Sequence, residues 1–127
     1  MKAWRMVVAA EYDPLKLSDG ERAFETYWKV IAPTHPMPVM QYKFHADREW
    51  KFDFAWPNAH VAVEIMGGVW VKGAHVRGGR YEKDCEKLNV AQAEGNWQVY
   101  YLTPGMLEAE TDRWINLIAE VVKWRGR

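Results

Sequence analysis

Two acidic residues, Asp53 and Glu64, lie in neighbouring segments whose residues alternate as in β-strands. Asn58 and Ala59 form the centre of a predicted turn between them, and a symmetric hairpin about this turn pairs residues whose numbers add up to 117. Asp53 then lies directly opposite Glu64, with Cβ atoms about 4.5–5.5 Å apart, and like charges in that position destabilise a sheet unless something compensates. A hard cation such as Mg²⁺ on oxygen ligands is the natural compensation.

Three further features favour a site over an ordinary charged sheet surface, which the same alternation also produces. Glu21 borders the apolar stripe of a predicted helix and points toward the sheet, although it also completes a capping box with Ser18. Gly67-Gly68 lets a phosphate approach the backbone, although it could equally be a plain strand terminator. A basic segment follows, containing Lys72, His75, Arg77, Arg80, Lys83 and Lys87. Such a segment suits a phosphodiester held against a metal. The alternative interpretation is that these basic residues form an ordinary solvated surface.

The elements that must position these residues follow the order αβββαβα. The capping box at Ser18 predicts a first helix, which stops before Pro33. Strands are predicted at Val39–His45, Glu49–Ala55, His60–Met66 and Trp97–Leu102, and later helices at Tyr81–Glu94 and Pro104–Trp124. This order predicts an α/β fold, a small mixed sheet flanked by helices.

Periodicity also predicts which residues share a face. One strand is expected to place Trp50, Phe52 and Phe54 on one face and Lys51, Asp53 and Ala55 on the other. The next separates Val61, Val63 and Ile65 from Ala62, Glu64 and Met66. The final helix is expected to point inward with Leu107, Trp114, Leu117, Ile118, Val121 and Val122. Gly73, Gly78 and Gly79 are assigned to a long loop.

Length and composition limit the class of protein. A chain of 127 residues predicts one domain, with residues 1–17 as an arm or short edge strand and 18–124 as the core. With 49% hydrophobic and 27% charged residues the chain is not disordered, and no apolar run reaches membrane-spanning length. Cys85 is the single cysteine, which fits a reducing cytosol, and no signal-peptide pattern follows the basic start. We therefore expect a cytoplasmic protein.

The charge balance and the number of aromatic residues favour interpretations other than a phosphodiester-binding metal site. With 17 basic and 17 acidic residues, composition alone indicates no nucleic-acid partner. The 8 tryptophans allow an alternative interpretation, a structural protein with a tryptophan-rich partner surface. That interpretation predicts several exposed tryptophans in one patch. Five of them have the pattern of core or sheet-face residues instead: Trp50, Trp56, Trp70, Trp97 and Trp114.

Together these residues resemble the PD-(D/E)XK nuclease superfamily, most closely its small phage and bacterial members related to very-short-patch-repair and Holliday-junction-resolving endonucleases. The matching stretches are SDGERAF, YKFHADREWKFDFAWP, VAVEIMGG, GAHVRGGRYEKDCEKLN and WQVYYLTPGML, in the family's order over roughly residues 18–107. The resemblance implies a restriction-endonuclease-like core. It also implies a metal-dependent endodeoxyribonuclease of a bacterial or phage-infected cell. A protein this small would cut branched or otherwise structured DNA, because little surface remains for base readout. A homodimer is left open.

The resemblance assigns metal-binding roles to four residues. Asp53 matches the central metal-binding aspartate, and Glu64 the second carboxylate. The backbone carbonyl of Ile65 would be a further ligand of Mg²⁺ or Mn²⁺, and Glu21 would act through a water.

The resemblance also assigns roles to basic residues. His75 and Arg77 match a loop pair that contacts phosphate, and Asp84 and Lys87 match a polar pair on the following helix. Lys87 or His75 would stabilise the transition state, with His75 as an alternative general base. The implied DNA-binding set is Lys72, His75, Arg77, Arg80 and Lys83.

Met66 departs from the family pattern, which has Lys or Asp two residues after the Glu. Methionine cannot ligate a hard cation or orient a water. In one interpretation Lys87 reaches in from its helix as a migrated lysine; in another it is an ordinary surface lysine. The remaining alternative is a weak or inactive nuclease-fold module that binds DNA or a protein.

Overall fold

The computed structural model describes residues 7–8, 18–66 and 78–127, with side chains for 18–66 and 82–127. Its strands are β1 (Val7–Val8), β2 (Val39–Lys43), β3 (Lys51–Trp56), β4 (Val61–Ile65) and β5 (Gln98–Leu102). Its helices are α1 (Asp19–Ile31), α2 (Gly78–Gly95), α3 (Pro104–Ala109) and α4 (Thr111–Arg125). The predicted order αβββαβα is confirmed, with a two-residue strand before it and the last helix in two parts.

The strands form one mixed sheet in the order β1-β2-β3-β4-β5. The outer pairs β1–β2 and β4–β5 are parallel, and the two inner pairs are antiparallel. Helix α2 makes the crossover that the parallel β4–β5 pair requires. The β3–β4 hairpin pairs Phe54 with Val63 and Trp56 with Val61, whose numbers add up to 117 as predicted. The α/β class, a small mixed sheet flanked by helices, is therefore confirmed.

Each face of the sheet packs against helices through its own hydrophobic cluster. On one face the Phe24 and Trp28 side chains of α1 and the Ile115 side chain of α4 pack with β3 and β4. On the other face the Leu88 side chain of α2 packs with Ala55, Ala62 and Trp97. Helix α1 begins with the predicted capping box at Ser18 and ends before Pro33. None of the helices in the described ranges is both long and apolar enough to cross a membrane.

Several predicted boundaries are wrong for local reasons. Helix α2 begins at Gly78 rather than Tyr81, so Gly78 and Gly79 are helical rather than part of the loop. Trp56 ends β3 instead of starting the turn, and His60, with φ 53°, belongs to the turn instead of β4.

The predicted final helix is interrupted at Glu110, whose φ is −142°. The Thr111 hydroxyl donates to the Leu107 carbonyl, a side-chain bond that competes with regular helix pairing. Leu117 is 38% exposed rather than inward, while Ile118 and Val122 are buried as predicted.

The described tryptophans do not form a surface patch. Trp28, Trp56 and Trp97 are buried, and Trp50 and Trp114 are half-buried. Among the tryptophans with described side chains, Trp124 alone is strongly exposed, at 70%. The patch expected of a tryptophan-rich partner surface is absent from residues 18–66 and 82–127; Trp70 lies outside the described residues.

The sheet reverses its inside–outside alternation in the middle of β2 and β3. Phe54 packs in the cluster under α1 and α4, but Phe52 packs with Ala55 in the cluster under α2. The predicted shared face of Phe52 and Phe54 is therefore wrong. The β2–β3 ladder skips the position of Gln41 and Asp53, and Gln41 has a φ of 51°. A left-handed residue within a strand turns the following side chains to the other face.

Candidate active site

Asp53 and Glu64 are joined across β3 and β4 by reciprocal hydrogen bonds between side chain and backbone. The Asp53 backbone N–H donates to Glu64 Oε2 at 2.9 Å, and the Ile65 backbone N–H donates to Asp53 Oδ2 at 2.8 Å. The backbone ladder between these strands reaches only as far as Phe54 and Val63. Where the backbone ladder stops, these side-chain bonds join the two strands instead. The structure thus brings Asp53 and Glu64 together, as the hairpin register predicts.

Lys87 reaches this carboxylate pair from helix α2. Its Nζ donates to Glu64 Oε1 at 2.8 Å and to the Lys51 carbonyl at 2.8 Å. The residue is only 9% exposed. Lys87 is therefore a buried neighbour of Glu64, and the interpretation of an ordinary surface lysine is wrong.

Glu21 approaches from the first turn of α1 and is 9% exposed. Its Oε1 accepts from the Ser18 backbone N–H at 2.8 Å, and its Oε2 accepts from Gln41 Nε2 at 3.1 Å. Its charge also lies close enough to Asp53 to raise the pKa of that residue. One carboxylate thus caps the helix and acts electrostatically on the central aspartate.

The site has more negative charge than its surroundings neutralise. Burial above all, then the charges of Glu64 and Glu21, raise the pKa of Asp53 from 3.8 to about 8, against the lowering effect of the Ile65 N–H. Burial also raises the pKa of Glu64, and the Lys87 ammonium opposes that rise. Three carboxylates share one ammonium, so the cluster holds a proton or requires another cation.

The other predicted site residues are placed only in part. Lys72, His75, Arg77 and Gly67-Gly68 lie outside the described residues, and only the backbone of Arg80 is described. Lys83 is exposed on α2. The Asp84 carboxylate is half-buried, and its charge disfavours ionisation of Glu64. Met66 continues the sheet with its backbone N–H, which donates to the Leu102 carbonyl at 2.8 Å.

Gln41 is a site neighbour that the sequence interpretation missed. Its side chain holds Glu21, and its φ of 51° costs about 1–3 kcal/mol in a residue other than glycine. The only signal in the sequence is one amide between Met40 and Tyr42, in a strand otherwise assigned by alternation. Such a signal predicts neither the positive φ of Gln41 nor its hydrogen bond to Glu21.

The donors present fit a hard divalent cation. Asp53 and Glu64 offer carboxylate oxygens, each with more than one lone pair, so a hydrogen bond from an N–H does not exclude a metal. Oxygen donors suit Mg²⁺ and Mn²⁺. Within the described ranges no three His, Cys, Asp or Glu side chains are grouped so that they could hold a metal ion. The Asp53–Glu64 pair would therefore depend on backbone or water oxygens to complete the coordination.

Comparison with known proteins finds similar sequences, but these similar proteins are uncharacterized. No protein-family model and no solved structure matches the chain. Two uncharacterized proteins, from two strains of Mycobacterium tuberculosis, are each 32% identical to the chain over 72 residues. The match covers 54% of this chain and 27% of each relative, so the chain spans about a quarter of the length of these relatives.

Proposed function

We propose that this protein is a metal-dependent endodeoxyribonuclease that hydrolyses phosphodiester bonds in branched or otherwise structured DNA. The observation that carries the proposal is the half-buried Asp53–Glu64 pair, closed by reciprocal side-chain-to-backbone bonds of 2.9 and 2.8 Å and flanked by Lys87 and Glu21. Burying three carboxylates around one ammonium destabilises a fold, so such a cluster is typical of a functional site.

The proposed cation is Mg²⁺ or Mn²⁺, held by Asp53, Glu64 and the Ile65 carbonyl, with Glu21 acting through a water. When bound, it supplies Lewis-acid chemistry, activating water and neutralising charge on the scissile phosphate. A divalent ion also balances the two negative charges left when Lys87 has neutralised one of the three carboxylates. Because the pKa of Asp53 is about 8, binding near neutral pH displaces a proton from this residue.

Lys87 has two tasks in this proposal. Its bond to Glu64 fixes the orientation of that carboxylate, and its ammonium is a nearby positive charge for the phosphate as negative charge develops. The position two residues after Glu64 holds Met66, which can do neither. Lys87 thus supplies from α2 what the lysine of the strand motif would supply in the family pattern.

A cleavage assay tests the proposal. Purified wild type should cut labelled branched DNA with Mg²⁺ or Mn²⁺, and Asp53→Asn should lose at least about 100-fold in rate, the order of magnitude expected when a central electrostatic group is removed. Asp47→Asn, at an exposed turn position, is the matched control and should cut like wild type. Equal cleavage by wild type and Asp53→Asn would sink the catalytic claim.

Met66 also favours a second candidate, a weak or inactive nuclease-fold module that binds DNA or a protein. Wild type would then bind branched DNA without cutting it, whichever of the two metals is supplied. Met66→Asp and Met66→Lys, assayed beside it, show whether this position limits the rate. A gain of cleavage in either variant supports the second candidate, and no gain in an active enzyme supports the first.

A further inference from the structure

Two lysines lie directly opposite each other beside the carboxylates. Lys43 of β2 pairs with Lys51 of β3, one ladder step beyond the Tyr42–Phe52 pair. Directly opposite residues have Cβ atoms about 4.5–5.5 Å apart, and like charges there repel. The sheet therefore carries two adjacent lysines whose charges do not stabilise each other.

The reversal of the strands at Gln41 determines which way these lysines face. Tyr42 and Phe52 pack in the cluster under α2, so the pleat turns the adjacent Lys43 and Lys51 to the other face. That face is the one covered by α1, which contributes Glu21. Without the reversal, Lys51 would share the face of Ala55 and lie on the α2 side.

The charges of the lysine pair are poorly compensated. Lys43 Nζ makes an ion pair of 3.1 Å with Glu49 Oε1, but the Glu49 side chain is 90% exposed, and such surface pairs contribute little. The Lys51 ammonium has no partner among the residues with described side chains. Its carbonyl, in contrast, accepts from Lys87 on the opposite side of the strand.

We propose that Lys43 and Lys51 form a phosphate-binding subsite for the DNA backbone next to the carboxylates. Lys51 is two residues from Asp53, about 7 Å along an extended strand. An anionic backbone crossing the α1 side of the sheet from Asp53 would meet both ammonium groups, and a phosphate there neutralises the like-charge pair. The inference rests on the proposed nuclease function and extends it, because it identifies where the substrate strand lies.

The test measures DNA binding rather than cleavage. A fluorescein-labelled four-way junction is titrated with protein in EDTA, and anisotropy gives the affinity at several salt concentrations. Lys51→Ala and Lys43→Ala should each weaken binding about two- to fivefold, the effect of one exposed ion pair. Each should also reduce the slope of log affinity against log salt by about 1. Lys51→Arg should keep the wild-type slope, and Glu49→Gln, which frees Lys43, should bind more tightly.

Lys123→Ala is the matched control. Lys123 is an exposed α4 lysine beside the Pro57–Asn58 turn, at the other end of β3, and its loss should leave the slope unchanged. Lys51→Ala and Lys43→Ala variants that bind like Lys123→Ala overturn the subsite while leaving the nuclease proposal standing. Wild type that binds no DNA also overturns the subsite, and the cleavage assay with Mg²⁺ or Mn²⁺ then decides the nuclease proposal separately. Melting temperatures within about 2 °C of wild type exclude misfolding as the cause of weaker binding.

Discussion

The strongest consequence of the clustered carboxylates is that replacing Asp53 by Asn should stabilise the protein. The pKa of Asp53 is about 8 in the folded protein and 3.8, its ordinary value, in the unfolded chain. Between these pH values the folded protein therefore binds one proton more than the unfolded chain. Stability therefore falls as pH rises from about 4 to about 8 and levels off above that range. Asparagine is neutral at every pH and has an oxygen that can still accept the Ile65 N–H.

The magnitude follows from the shift of about four units. At 1.36 kcal/mol per unit, ionising Asp53 destabilises the folded state by at most about 5 kcal/mol. Since the site carboxylates titrate together, we expect a measured gain for Asp53→Asn of about 2–4 kcal/mol at pH 8. In a domain of this size that raises the melting temperature by roughly 10 °C. At pH 4 the gain should vanish.

Differential scanning calorimetry in EDTA, from pH 4 to pH 9, measures this effect. Asp47→Asn removes an exposed carboxylate and should follow the wild-type curve. Mg²⁺ in place of EDTA should stabilise wild type above pH 7 and leave Asp53→Asn unchanged. If Asp53→Asn melts at or below the wild-type temperature at pH 8, Asp53 is not an electrostatically strained carboxylate and the reasoning is refuted.

Three further predictions concern the supports of the site and the fold. Lys87→Met should lower the free energy of unfolding by about 3–5 kcal/mol in urea titrations, and adding Glu64→Gln should restore most of it; no recovery in the double variant would disprove their coupling. Gln41→Gly should keep or raise the free energy of unfolding, because glycine tolerates a positive φ. It should also weaken Mn²⁺ binding, because Glu21 loses the hydrogen bond that orients it. Unchanged Mn²⁺ affinity would contradict the role of Gln41 in orienting Glu21. Arg125→Ala should cost about 1–3 kcal/mol of thermal stability, because its guanidinium bonds three acceptors in the turn and β5 region; a change under about 0.5 kcal/mol would count against it.

The sequence was sufficient for the parts of the fold that depend on local patterns. The capping box fixes the start of α1, and proline limits its end. The turn centred on Asn58 and Ala59 fixes the hairpin register, because one slipped residue would turn every β4 side chain to the wrong face. That register is what brings Asp53 and Glu64 together.

The parts that could not be predicted depend on tertiary contacts. Strict alternation of apolar and polar residues does not predict the reversal of the side chains at Gln41. Only the structure shows the positive φ of this residue and its hydrogen bond to Glu21. The early start of α2 at Gly78 and its glycine-rich first turn run against local propensity. The burial of Lys87 was one of two open interpretations, since a lysine at the border of an apolar stripe can face either way.

The central claim, a divalent cation bound through Asp53 and Glu64, is tested most directly by isothermal titration calorimetry with Mn²⁺. Measurements at pH 7 in buffers of different ionisation enthalpy count the protons released on binding. Wild type should bind Mn²⁺ and release about one proton per ion, because the pKa of Asp53 is about 8, and Asp53→Asn should show no binding at this site. Equal Mn²⁺ binding by wild type and Asp53→Asn, or no binding by wild type, would contradict the account.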